Sequence, residues 1–481
     1  MKSKTILALR LLEKEMKPEY GTEIFVVGSY VRDILRKKKG GDNIDIVIRH
    51  LSFSKIKQFL NKYGETTIVV INHNKEMPST KVVYFKAQGD NVLAKIELSN
   101  GSNKSTIVEG IASLKQDAQQ RCFALDAMYL PINALTTERV IDYVGGKSDI
   151  AARHILSIGN AIPKFKKQPI QIMRAFSLSA ITGYSISNHV RHAITECVQL
   201  LKKVPISDIK EELITILTST KPSITLRLML KLGVLDIIMP ELVKCHGCLQ
   251  DKRYHKYDVL THSLYTCDNI ENNIVLRLAG LLHDIGKPDS KVIDGNDKIT
   301  FYRHEVIGAK IAGLMLKRLG FDSKIVEQVM HLTRMHMYHY TREYTDAGVS
   351  RFIAIAGINE ADINDINNFP LFKLRAAERL GNGFKKTSIT PRQREFQERI
   401  IKVFKTNSGF STRNLAVDGA TLLEVFQLEP GPEIGNILRH LLSYVNEDSS
   451  LNERKILLHC ALDYILDKQE NGESMEDVIK N

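Results

Sequence analysis

No apolar run in this sequence reaches the roughly 20 residues that a membrane-spanning helix needs. Tryptophan is absent, and cysteine is scarce: six in 481 residues, at 122, 197, 245, 248, 267 and 460. That scatter excludes a disulfide framework. The single Cys245-His246-Gly247-Cys248 has no second pair at zinc-ribbon spacing and no thioredoxin-like unit around it, which argues against a structural zinc or a redox motif. Met1-Lys2-Ser3-Lys4 leads into a mixed, charged, helix-like stretch unlike a secretory signal, so a cytoplasmic protein without a membrane partner is expected. Internal repeats and long low-complexity runs are lacking too. Acidic residues are the minority charge, 55 against 67 Lys and Arg, and the balance of +12 favours a polyanionic partner.

The length suits two to four domains. Strand signals crowd the first ~145 residues. Segments 23–27, 44–48, 67–71, 81–85 and 92–98 are rich in β-branched residues and bounded by Gly, Asn or Asp. Helical spacing lies between them at 5–15 and 53–62. After about residue 150 the pattern is helical, at 168–182, 190–202, 209–217 and 225–232. The stretch 407–412 reads as a linker, and a helical tail over 415–466 is broken by Glu429-Pro430-Gly431-Pro432. An α+β chain is expected: a small mixed sheet with helices, then helices alone.

Gly28-Ser29-Tyr30-Val31-Arg32-Asp33 precedes Asp42-Asn43-Ile44-Asp45. A Gly-Ser turn admits close approach of backbone N–H groups to phosphates, and Arg32 can neutralise them. Residues two apart on a strand share a face, so Asn43 and Asp45 point together, with Asp45 able to hold Mg²⁺ and Asn43 offering a neutral carbonyl. Asp42 would face the other way unless Gly40 and Gly41 permit a bulge. Gln168, Gln171 and Arg174, three apart, can present polar edges to a base and a charge to its triphosphate.

With Arg121 to Ala127, Asp142 to Gly146, Leu232-Gly233-Val234-Leu235, Pro240-Glu241-Leu242 and the tail's Asp418-Gly419, Pro430-Gly431 and Ile434-Gly435, these segments resemble, in order, the bacterial class II tRNA nucleotidyltransferases, the CCA-adding and poly(A) polymerase family. The resemblance implies a polymerase-β-type nucleotidyltransferase head (1–148), a helical neck (149–245), an HD body (246–405) and an RNA-binding tail (406–481). It implies transfer of nucleotides from CTP or ATP to the 3′ end of tRNA or another structured RNA. Gly28, Ser29, Arg32, Arg121, Gln168, Gln171 and Arg174 would bind nucleotide, and Asp45, Asp42 and Asn43 would be catalytic with Mg²⁺. RNA contacts are expected from 36–39 and from Lys164, Lys166 and Lys167. Three positions depart from the family: Asn43 stands for a metal carboxylate, Cys122 for an Asp, and 167–171 (Lys-Gln-Pro-Ile-Gln) for the base-reading Glu-Asp-x-x-Arg. They point to altered specificity, weakened activity or decay of the head.

Seven of the fifteen histidines fall between 255 and 339. Leu281-Leu282-His283-Asp284-Ile285-Gly286-Lys287-Pro288 carries an adjacent His-Asp pair, which can converge on a metal only at a helix end. The pattern is similar to the HD phosphohydrolase superfamily. That resemblance implies His262, His283, Asp284 and Glu378 as ligands of a divalent transition metal. Lys287, His304, His331 and His336 would contact phosphate or support the ligands. A second possibility follows: a degenerate head, with the HD site cleaving phosphomonoesters or 2′,3′-cyclic phosphates at RNA ends. A third is an RNA-binding protein without catalysis.

Overall fold

The computed structural model describes residues 3–470 apart from 39–42, 72–79, 91, 99–113, 252, 254, 294–298, 408–411, 413–414 and 448. Asp42, the Gly40-Gly41 bulge and most of the expected linker therefore lie outside the described residues. The chain forms two compact units, 1–238 and 239–481.

The first unit is built on a seven-stranded mixed sheet. Its strands are β1 (Glu23–Val27), β2 (Asn43–Arg49), β3 (Gly64–Ile71), β4 (Thr80–Ala87), β5 (Leu93–Leu98), β6 (Met128–Pro131) and β7 (Ile141–Asp142), in the order β3-β4-β5-β2-β1-β6-β7. Within it, only β2 and β5 run parallel. The five expected strands are all present. The short β6 and β7 extend the β1 edge and hold too few residues for an alternation signal.

Alternation sorts the central strands onto two faces. Ile24, Val26, Ile44, Ile46 and Ile48 pack under helix Lys4–Tyr20, whose Leu9 and Leu12 are fully buried. Truncating either leucine to Ala costs about 2–5 kcal/mol. That helix begins at a Ser3 cap and ends at Gly21 in the left-handed region. Phe25, Val27 and Val47 form the opposite face with Leu114, Ala118, Ala127 and Tyr129. Asp45 belongs to this second face and pairs in register with Val27.

Beyond the sheet the unit is helical apart from a short strand pair, His154–Ile155 with Ser185–Ile186. The expected helix over 168–182 begins at Gln171 and runs to Thr182, after a separate helix, Ala161–Lys167, has stopped. Pro169 disfavours helical backbone at the residue before it, and Gln168 accordingly adopts φ −137°, ψ 83°.

Among its described residues the second unit is helical apart from one strand pair, Lys291–Ile293 with Ile299–Phe301. Asp258 caps helix Val259–Asp268, accepting from Thr261 N–H at 2.9 Å, and Asn273 caps helix Ile274–Leu282, accepting from Leu276 N–H at 3.1 Å. The tail helices Gly419–Phe426, Pro432–Glu447 and Arg454–Glu470 bury a separate cluster around Leu422, Ile437, Leu441 and Leu457. No described helix is long and apolar enough to cross a membrane.

Candidate nucleotide site and candidate metal centre

β1 turns into helix Ser29–Leu35 at Gly28, with φ +75°. A Cβ there would meet the Asp45 carboxylate at 2.7 Å. Glycine is required twice over, for backbone conformation and for contact with β2. Asp45 is half-buried, whereas Asn43 on the same strand face is exposed.

Behind this turn lies a charge network. Arg32, 2% exposed, donates to Asp33 at 3.1 Å and to Asp126 at 2.7 Å. Arg174 reaches the other oxygen of Asp126 at 3.5 Å and Glu212 at 3.4 Å. Ser177 also donates to Glu212. Burial alone would lower the Arg174 pKa, but Asp126, Glu212 and Asp45 more than offset it and raise it. Arg32 is thus buried and paired with two carboxylates behind the Gly28 turn. Sequence reasoning missed Asp126 and Glu212, because pairing across 94 and 38 residues leaves no local spacing.

Gln168 and Gln171 come together, with the Gln171 amide donating to the Gln168 oxygen at 3.3 Å. Arg121 donates to Asp117 at 3.0 Å and lies 5.8 Å from the Tyr129 ring. Cys122, where the family has an acid, is a buried thiol with its pKa pushed up to about 12 by burial. Asp142 is a backbone cap: its carboxylate accepts from the N–H groups of Val144, Gly145, Gly146 and Lys147 at 2.8–3.1 Å.

The histidines of the second unit converge. Helix Ile274–Leu282 ends at His283, and the loop after it folds back so closely that a Cβ on Gly286 would lie 2.3 Å from the His304 carbonyl. The His-Asp pair therefore does sit at a helix end, though Gly286 serves close approach and not left-handed backbone (φ −82°). One oxygen of Asp284 lies 3.2 Å from His283 Nε2 and 3.7 Å from His262 Nε2. The other lies 3.4 Å from His304 Nε2 and 3.6 Å from His336 Nε2. All five side chains are buried.

Two groups able to hold a metal share this carboxylate: His262, His283, Asp284 and Asp284, His304, His336. Their chemistry fits a cation. The Nδ1 atoms of His283, His304 and His336 lie 2.7–3.0 Å from the carbonyls of Gly280, Phe301 and Thr333 respectively, which assigns the proton to Nδ1 and the lone pair to Nε2. The inner nitrogens face each other in pairs, at 3.2 Å for His262 and His283 and 3.3 Å for His304 and His336; lone pairs meet in the second pair, while His262 Nδ1 has no hydrogen-bond partner among the described residues.

Electrostatics agree at His262 and Asp284, whereas at His283 burial is outweighed by the Asp284 charge, which raises the pKa and favours the protonated ring. Burial, and then the charge of His283, lower the His262 pKa to about 3, holding that ring neutral. Burial also opposes ionisation of Asp284, but His283 and Lys287 outweigh it and hold the carboxyl well below its usual range. Lys287 donates to Asp284 and to Gln250, both at 2.7 Å. Gln250 is another residue that the sequence did not reveal.

His304 and His336, expected as supporting groups, stand as close to Asp284 as the expected ligands do. Glu378 is outside both groups and lies 3.4 Å from Arg375, although its charge is felt at His283 and His336. His331 is placed apart, 3.3 Å from the Ala356 carbonyl.

Comparison with known proteins bears on both sites. Three family profiles match: "Poly A polymerase head domain" over 24–156, "Probable RNA and SrmB- binding site of polymerase A" over 183–245, and "HD domain" over 253–360. The CCA-adding enzyme of Lactococcus lactis is 23% identical over 456 residues, covering 93% of this chain and 95% of that one. The CC-adding tRNA nucleotidyltransferase of Thermus thermophilus is 26% identical over 340 residues, 68% and 73% of the two chains. The A-adding tRNA nucleotidyltransferase of Deinococcus radiodurans is 24% identical over 342 residues, 68% and 74%. In fold, the chain matches the Bacillus stearothermophilus CCA-adding enzyme crystallised with CTP, at a TM-score of 0.58 and 16% identity over 97% of this chain and 98% of that one.

Proposed function

Because the chain belongs to the bacterial class II CCA-adding and poly(A) polymerase family, we propose that it transfers nucleotides from CTP and ATP to RNA 3′ ends, in tRNA 3′-terminal CCA addition or repair. The observation that carries this reading is the Asp45 carboxylate held against the Gly28 turn, with the Arg174 charge beside it. The reaction is attack by a terminal hydroxyl on the α-phosphorus, with pyrophosphate leaving. Mg²⁺ on Asp45, with Asn43 as a neutral oxygen ligand and Asp42 as the neighbouring carboxylate, would neutralise the triphosphate and activate the hydroxyl. Asp126 orients Arg174 toward the phosphates and is itself fixed by Arg32. Gly28 and Ser29 bring backbone N–H groups to the triphosphate, Arg121 adds positive charge, and the Gln168–Gln171 pair meets the base with donors and acceptors of no fixed charge. Lys164, Lys166 and Lys167 grip RNA phosphates, so affinity falls with salt.

The assignment runs as head 1–148, neck 149–245, HD body 246–405 and tail 406–481, in the cytoplasm. The arrangement around Asp284 supports a second activity, phosphoester hydrolysis at RNA ends. A divalent transition metal on His262, His283 and Asp284, or on Asp284, His304 and His336, would supply an activated water there. Glu378, paired with Arg375, would lend negative charge to the centre, and Lys287 holds Asp284 ionised.

The test is incubation of the full chain with Mg²⁺, tRNA lacking its 3′ terminus and labelled CTP or ATP. Manganese-loaded protein is tested separately on a nucleoside 2′,3′-cyclic phosphate. Extension is expected in the first assay and supports the transferase. Hydrolysis without extension overturns it in favour of a degenerate head. Salt-sensitive tRNA binding with neither activity overturns both enzymatic readings.

A further inference from the structure

The turn that delivers His304 to Asp284 also projects two side chains outward. Tyr302 is 80% exposed, and Arg303 beside it is exposed with φ +54° and ψ +29°. A non-glycine residue in left-handed backbone is held there by its surroundings, and such positions gather at functional sites. Here the surroundings are specific. His304 Nδ1 closes the turn onto the Phe301 carbonyl at 3.0 Å, and the Phe301 ring lies 5.4 Å from the Lys287 ammonium. Further along the hairpin, Val292 and Ile293, paired with Thr300 and Ile299, are 54% and 57% exposed. The described strands and turn, 291–293 and 299–303, present Lys291 and Arg303, and the sequence between the strands carries Asp294, Asp297 and Lys298.

An exposed aromatic face beside a cation suits an unpaired nucleotide: the ring stacks a base and the cation meets its phosphate. Tyr302 is two residues from His304, so their Cα atoms are within about 7 Å. A protein partner of matching chemistry would need an acidic, apolar surface, whereas an RNA end brings both features in each nucleotide. We propose that Tyr302 and Arg303 form a stacking platform for the unpaired terminal nucleotide of an RNA 3′ end presented to the Asp284 centre. The proposal rests on the hydrolytic reading of that centre and narrows its substrate to nucleotide phosphoesters, as opposed to small phosphomonoesters without a base.

Because the chain has no tryptophan, Tyr302→Trp creates a single emitter at the platform. Full-length Tyr302→Trp is titrated with a hexaadenylate carrying a 3′-phosphate and with a blunt RNA duplex. Leu314→Trp, on the same helix as His304 and 72% exposed, is the control. Saturable quenching of the indole emission from the platform variant by the hexamer, and not by the duplex, is expected, with no change in the control. Adding Arg303→Ala to the reporter should weaken the hexamer about fivefold and lower the salt slope by about one. Independently, Tyr302→Ala should raise KM for a nucleoside 2′,3′-cyclic phosphate about tenfold and leave KM for p-nitrophenyl phosphate within about twofold.

Unchanged emission, or equal quenching by the duplex, overturns the platform. If the wild type hydrolyses nothing while the hexamer still quenches, the hydrolytic reading fails and the RNA-binding platform stands.

Discussion

In the N-terminal unit, the arginines behind the candidate nucleotide site already have carboxylate partners, and only one acidic ligand, Asp45, is placed at the turn among the described residues. In the C-terminal unit, by contrast, the outer nitrogens of three imidazoles are bonded to carbonyls, and four inner ones crowd a single carboxylate. The first arrangement is neutralised internally and satisfied without a guest. The second brings acceptor atoms together at distances that a cation would relieve. A chain read by its motifs alone looks stronger at the N-terminus, where ordered matches abound. Read by its electrostatics, the C-terminal centre is the more completely equipped.

The largest effect that would sharpen this contrast is at Asp284, because both groups of ligands need it. Asp284→Asn should weaken divalent-metal binding to the second unit by at least about 100-fold, read by equilibrium dialysis with metal analysis. Retention of the wild-type metal content would remove Asp284 from its central place.

Next in size is Asn43→Asp. It restores a carboxylate on the same strand face as Asp45 and should raise nucleotide addition on the order of tenfold or more, read as single-turnover extension. A revertant no faster than wild type would show that Asn43 does not limit the head.

The smallest effect concerns stability. Asp149 is buried and its second oxygen has no partner among the described residues. Burial, and then the Asp142 charge, raise its pKa from 3.8 to about 6. An acid whose folded pKa is raised binds its proton more tightly when folded. The penalty is therefore absent below about pH 4, grows between about pH 4 and 6, and is complete at about pH 7. Asp149→Asn should stabilise the first unit by about 1–3 kcal/mol at pH 7 and by nothing at pH 4, read from denaturant melts at both values. Equal stability at pH 7 would mean the carboxylate finds a partner in solution.

The sequence was most legible where periodicity is local. The β-branched runs marked five strands of the sheet, and the Gly-Ser turn, the His-Asp pair and Pro169 all sit at element boundaries. It was least legible where charge pairs close over long separations. Nothing near Arg32 in sequence shows that Asp126, 94 residues away, pairs with it. His304 and His336 looked like supporting residues because only folding brings them to the oxygen of Asp284 opposite His262 and His283. Gln250, which receives Lys287, carries no motif at all.

Single-turnover extension of tRNA lacking its 3′ terminus, compared between Asp45→Ala and Asp284→Asn in the same buffer, tests the central claim most directly. Loss of addition in Asp45→Ala with near-wild-type addition in Asp284→Asn is the predicted result. Undiminished addition by Asp45→Ala would contradict it.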